Sequence, residues 1–216
     1  MTTHATVTSP RRAAHALGAL FILLAGTVAA PAARAADDAS GFITDLGRQA
    51  LAIVKEPGVS PADRQHQFQA LMAEDFDLPK IAQFVLGTYW QKANEIERQQ
   101  FTTAFGDYMT GVYSTRFGEY SAPSFRVTTQ LARSPAITVV SSEITRVATG
   151  QEIDLDWVVA KTQDSYKVVD ITAGGISLSQ AQREEFSSVV QRSGASLPSL
   201  IRLLQMKSTE LAASGS

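Results

Sequence analysis

The sequence contains no cysteine in 216 residues. Disulfides and thiol chemistry are excluded, so a chain exported to an oxidising compartment would hold its fold by packing alone. Histidine is almost as scarce: of three, only His66 lies beyond residue 35. One histidine cannot build a His-rich metal site, and it leaves a Ser-His-Asp arrangement a single possible base. His66 itself sits among glutamines, the setting of a solvated helix residue. Internal repeats and low-complexity linkers are also missing. So is an excess of positive charge. Without Arg11, Arg12 and Arg34, 16 basic residues face 21 acidic ones, a net charge of −5. Nothing in that balance invites nucleic acid, and strong adhesion to anionic lipid surfaces is disfavoured.

A long hydrophobic run occurs once. Arg11 and Arg12 precede the apolar residues 13–30, and Ala33-Arg34-Ala35 supplies a small-x-small cleavage triplet. This is the pattern of a secretory signal peptide over residues 1–35. Pro31 and the triplet argue against a retained membrane anchor. The remainder, residues 36–216, is long enough for one domain with a substantial core.

The densest information lies in residues 84–117. An apolar knot, Phe84-Val85-Leu86-Gly87-Thr88-Tyr89-Trp90, is broken by Gly87. After a polar run, Phe101, Phe105, Tyr108 and Val112 recur at spacings of 4, 3 and 4, one face of a helix. Phe117 extends that side, and Met109 and Tyr113 widen it. Such a face suits either a helix packed on a sheet or the wall of an apolar cavity.

Around this stretch the chain reads in order. A helix is predicted over residues 40–55, with Ser40 as N-cap. Ser60, Pro61 and Asp63 start a second helix, whose buried side is Phe68, Leu71 and Met72. Asp77 opens a third helix. Asn94 and Glu97 form a capping box before the long helix, which is predicted to run to about Tyr120. From Phe125 the period becomes two. Four strands are predicted, near residues 125–131, 137–146, 153–159 and 166–171, joined by short turns into an antiparallel meander. Helices over residues 179–191 and from Ser196 to Leu204 follow, and residues 208–216 are predicted to fray. Helices, then a meander, then helices make an α+β domain. One sheet face should take the helices, while the other, with Glu152, Asp154 and Asp156, should be wet. Asp170 is best suited to tying the Ala173-Gly174-Gly175 bend.

Two blocks carry a family resemblance. VLGTYWQKAN with the aromatic helix behind it, and YKVVDITAGGISLSQAQREEF followed by LIRLL at residues 200–204, resemble the MlaC/Ttg2D (toluene-tolerance, phospholipid-binding) family in the same order. The likeness spans residues 41–207 and departs at Gly174 and Pro198. FGEYSAPSFRV, residues 117–127, is similar to a hopanoid-associated, HpnM-like branch of that family.

The resemblance implies a curved, NTF2-like sheet with helices on one face, enclosing an apolar lipid cavity in a lipid-binding domain at residues 36–207; the small, polar residues 208–216 are expected to form a flexible tail. It implies a periplasmic carrier, not an enzyme, without cofactor or metal, that shuttles phospholipid between an outer-membrane lipoprotein complex and an inner-membrane ABC transporter complex. The candidate lining residues are Phe84, Val85, Tyr89 and Trp90 from the knot. The long helix adds Phe101, Phe105, Tyr108, Met109, Val112 and Phe117, and the strand region Val139, Leu155, Trp157, Val168 and Ile176. Physical chemistry asks for the same apparatus. Crossing water with a diacyl lipid requires shielding its chains, at ~0.8 kcal/mol per CH₂. A rival reading keeps the sheet but makes it an enzyme, with Asp170 or Tyr166 turned inward.

Overall fold

Local hydrogen bonding fixes where the chain turns into helix. The computed structural model describes residues 38–117, 124–145, 150–192 and 196–214, with the side chains of 115–117 and 214 excepted. The segment predicted as a signal peptide, the stretch from Gly118 to Tyr120 and the predicted Ser193-Gly194 stop lie outside the described residues. Helix α1 (Ala39–Lys55) is capped by Asp38, whose Oδ1 accepts from the Gly41 N–H at 2.7 Å. Ser40, predicted as the cap, is instead inside the helix, because the carboxylate two residues earlier takes the orphan amide. The other caps follow the sequence pattern. Ser60 Oγ accepts from the Asp63 N–H at the start of α2 (Pro61–Asp75). Asp77 accepts from the Lys80 N–H at the start of α3 (Leu78–Leu86), which ends where Gly87 turns with φ +59°. A single short helix, α4 (Thr88–Lys92), leads to the reciprocal Asn94–Glu97 box, both bonds 2.9 Å, that opens α5 (Glu95–Phe117).

The sheet is a five-stranded antiparallel meander in the order β1-β2-β3-β4-β5. Its strands are β1 (Ser124–Ser134), β2 (Ile137–Thr145), β3 (Glu152–Lys161), β4 (Tyr166–Ala173) and β5 (Ile176–Ser177). Four strands were expected. The fifth has two residues, too few to show an alternation, and pairs with β4 across the Gly174-Gly175 turn. Register irregularities at Val127/Thr129, Ala132/Ser134 and Val158/Val159 bend the strands. The first of them reverses β1: Val127 lies opposite Ser142 on the inner face, but Gln130, not Leu131, lies opposite inner Val140. Gln130 accepts from both the backbone N–H and the hydroxyl of Ser40, tying α1 to β1.

The helices pack on one face of the sheet. Helix α1 packs on β1 and β2; α2, α3 and α6 (Leu178–Arg192) pack on β4. Helix α5 packs chiefly against α2, α3 and the last helix, α7 (Leu197–Ser214), and so forms a second layer. Part of its aromatic stripe, Phe101, Phe105 and Tyr108, therefore meets another helix. Phe101 stacks on Phe105 at 5.9 Å, and both rings stand nearly perpendicular to Phe186 of α6. Helix α7 continues well past Leu204. Leu211 packs against Gly111 of α5, where an added Cβ would lie 3.1 Å from it. This close approach explains one glycine inside α5, and residues 208–214 of the segment predicted to fray are helical.

The opposite sheet face is wet where Glu152 and Asp154 are exposed. Asp156 accepts from Ser141 Oγ at 2.6 Å, and Arg126 pairs with Glu143 across β1 and β2. That face is not wholly polar: Leu131, Val139 and Val158 form an apolar row across it.

Candidate functional site

An apolar cavity of about 380 Å³ lies between the helices and the sheet. Each element contributes what its period allows. Leu46, Ala50, Leu51 and Val54 come from one face of α1; Phe68, Leu71 and Met72 come from α2. Phe105, Met109 and Tyr113, four residues apart, are the share of α5. From the strands come Phe125, Ile144, Ile153, Leu155, Trp157 and Ile171. Ile144 lies opposite Ile153, Val140 opposite Trp157 and Trp157 opposite Ile171, so one pleat surface faces the cavity. Many of these residues, Leu51, Val54, Tyr113, Ile144, Ile153 and Leu155 among them, are only half-buried. They border an open apolar space, which a close-packed interior would not leave.

Specific contacts hold the wall in shape. Phe125 meets Trp157 edge-on at 6.2 Å, and Trp157 Nε1 donates to the buried Ser142 Oγ at 2.8 Å. Gly47 is what lets α1 lie this near: a Cβ there would come within 2.2 Å of the Phe125 ring. The polar part of the wall is small, formed by Asp170, Ser179 and Gln182. Asp170 Oδ2 accepts from Ser177 Oγ at 2.6 Å and Oδ1 from the Ser179 N–H at 3.1 Å. The carboxylate thus serves the first turn of α6.

The structure divides the sequence candidates. Phe105, Met109, Leu155 and Trp157 line the cavity. Phe101, Val85 and Val168 are fully buried in the closed core. Tyr108 is half-buried with its ring on Phe186, and Val112, also half-buried, is not part of the wall. Tyr89 and Trp90 flank the core margin, Trp90 beneath the Arg98 guanidinium at 5.5 Å. Phe84 is 42% exposed under the Arg183 guanidinium, and Ile176 is 64% exposed on β5. Val139 faces away, because its neighbour Val140 is the residue opposite Trp157. The Phe117 side chain lies outside the described residues. The α1 and α2 lining was missed, although the amphipathic spacing of α1 was visible in the sequence.

A second hollow, about 540 Å³ and mostly polar, lies between α1, the end of α2 and the β3–β4 turn. Tyr166 and Asp75 line it. Tyr166 and Asp170 therefore border different spaces, and no paired acid–base site joins them. Asp75 Oδ2 is buried without a hydrogen-bond partner. Burial, helped by the Glu74 charge and opposed by Lys167, raises its carboxyl above the usual carboxylate range. A raised folded-state value means stability that is fully present below the unfolded-state pKa and lost as pH rises through the folded one. Asp75→Asn is expected to equal or exceed wild type in urea at neutral pH, with the difference shrinking towards about pH 4. Urea midpoints at both pH values measure it; a difference that grows on acidification would contradict this account.

A curved antiparallel sheet with helices on one face and a hydrocarbon-walled cavity between them defines an α+β fold built around a cavity. Residues 45–206 match the family model described as MlaC protein, and the chain belongs to the MlaC family. The fold is that of a solved phospholipid-binding protein from Ralstonia solanacearum in complex with a phospholipid. The TM-score is 0.71 at 21% identity, covering 81% of this chain and 99% of that one. No curated protein matches the chain significantly in sequence.

Proposed function

We propose that the protein is a periplasmic lipid carrier that houses phospholipid acyl chains in the cavity and moves lipid between outer-membrane and inner-membrane complexes. The observation that carries the reading is the cavity wall: hydrocarbon from five helices and four strands around a space of about 380 Å³. The phospholipid held by the Ralstonia protein of the same fold supports it. Apolar shielding is the physical requirement for carrying a lipid through water. The carrier reading is favoured over an enzyme because Asp170 is engaged at the start of α6 and Tyr166 borders another hollow.

Export would place the mature start at Ala36. Native mass spectrometry of protein purified without added lipid should show that mature mass plus about one lipid, released by organic extraction. A folded protein that carries no lipid and takes none from vesicles would refute the carrier.

A further inference from the structure

The chain has no cysteine, so all its sulfur is in four methionines, and Met1 lies in the segment predicted to be removed. The other three are placed in opposite ways. Met206 of α7 is 61% exposed. Met72 of α2 and Met109 of α5 come from two helices packed on one another, and both line the apolar cavity. They are 6% and 7% exposed, whereas Leu51, Val54, Tyr113, Ile144 and Ile153 of the same wall are half-buried. The two thioethers therefore belong to the enclosed part of the space, away from its margin. In a wall of hydrocarbon they are the polarizable, electron-rich groups. With a peroxide, a thioether undergoes two-electron oxidation to the sulfoxide. An oxidised unsaturated lipid carries its hydroperoxide along the acyl chain, not on the headgroup. A chain housed in this cavity brings that group in among these residues.

We propose that Met72 and Met109 are the site at which the protein reduces acyl-chain hydroperoxides of the lipid it carries. The thioether sulfur gives an electron pair to the terminal peroxide oxygen, and the O–O bond breaks. The oxygen attached to the chain leaves with that bond's electrons and takes the hydroperoxide's proton. The products are one methionine sulfoxide and one hydroxy lipid: sulfur is oxidised by two electrons and the peroxide reduced by two. No further reactant enters. Two sulfurs allow two such events per molecule, and enzymatic reduction of the sulfoxides restores them. The proposal rests on the carrier reading and adds a reaction to it.

The test gives the delipidated full mature protein vesicles of phosphatidylcholine with a minor fraction of its linoleoyl hydroperoxide. Catalase and a metal chelator exclude soluble oxidants. Bound lipid is then extracted, and sulfoxides are located by peptide mass spectrometry. Sulfoxide should form at Met72 or Met109 more than about tenfold ahead of Met206, because a bound oxidant meets the enclosed sulfurs at an effective concentration far above its bulk value. Each sulfoxide should be matched by one hydroxy lipid. Hydrogen peroxide, given alone without catalase, should reverse the order and take the exposed Met206 first. From a Met72→Leu/Met109→Leu variant, a swap of similar volume, the bound hydroperoxide should be recovered unreacted, whatever amount is captured. Met206→Leu should convert it as wild type does. The wild-type peptide map decides the case by itself should the double variant not fold. Hydroperoxide recovered intact from wild type, conversion that survives in the double variant, or Met206 oxidised by the lipid as fast as the pair would each overturn the proposal. So would a pair that hydrogen peroxide also oxidises first, or capture of phosphatidylcholine without its hydroperoxide. Absence of any lipid capture would overturn the carrier reading, and the reaction with it.

Discussion

A Leu155→Trp variant is expected to emerge from purification with less than about half the bound lipid of wild type while, once both are delipidated, melting within a few degrees of it. Leu155 lies on β3 opposite Ser142 and Ala173, with its side chain at the edge of a space of about 380 Å³. In a close-packed core the extra volume of an indole costs ~1–3 kcal/mol or more. Here the ring can enter room that acyl chains would otherwise fill. Val85→Trp is the contrast: Val85 is 0% exposed and is not part of this cavity's wall. That variant should lose stability at ~2–4 °C per kcal/mol in a domain of this size. The melts must compare delipidated samples, because a ligand that binds only the folded state raises its melting temperature. Equal destabilisation by the two substitutions, with lipid content unchanged, would show that lipid does not occupy this cavity.

The largest loss of stability is expected from Phe101→Ala. Phe101 is 0% exposed, stacked on Phe105 at 15° between planes and nearly perpendicular to Phe186 at 6.3 Å. Removing a ring from such a site costs ~3–5 kcal/mol, the transfer term plus the hole left behind. In a domain of this length that is a melting temperature lower by ~6–20 °C. The residue sits one helical turn from Phe105, which does face the cavity. Below its melting temperature the variant should still take up lipid. A change under ~2 °C would mean that the three rings are not the brace between α5 and α6 that they form in the structure.

That single turn of α5 also shows where sequence reasoning stops. Capping chemistry is local, so Ser60, Asp77 and the Asn94–Glu97 box could be read directly, and the alternation of Ile153, Leu155 and Trp157 identified an inner face of β3. Periodicity says that a side chain is inside, but not whether it touches protein or empty space. Phe101 and Phe105 have the same signature and share Phe186 as a neighbour, but only Phe105 lines the cavity. Val139 shows a second boundary: in the continuous run Ile137-Thr138-Val139-Val140 no alternation distinguishes the faces, and the cross-strand pairing decides. In β1 the bulge at Thr128 exchanged the faces halfway along a strand whose alternation had looked regular. Helix α5 went to an outer layer because α2, α3 and α6 occupy the sheet. That competition between elements is invisible in any one of them.

The same bulge has a bearing on how the molecule keeps to itself in a crowded compartment. Strand β1 is the sheet's border, eleven residues long, and residues 128–134 are exposed. A straight border of that length would be a template on which a foreign strand, or a copy of the chain, could extend the sheet into an aggregate. The irregularities at Val127/Thr129 and Ala132/Ser134 cut it into pieces. The uninterrupted run left in that exposed half reaches only from Thr129 to Ala132, with the charge of Arg133 just beyond it. Four residues offer an incoming strand little to copy. The kinks that shape the sheet thereby also guard against fibrils, in a protein whose apolar cavity leaves it less core to spare than its length suggests.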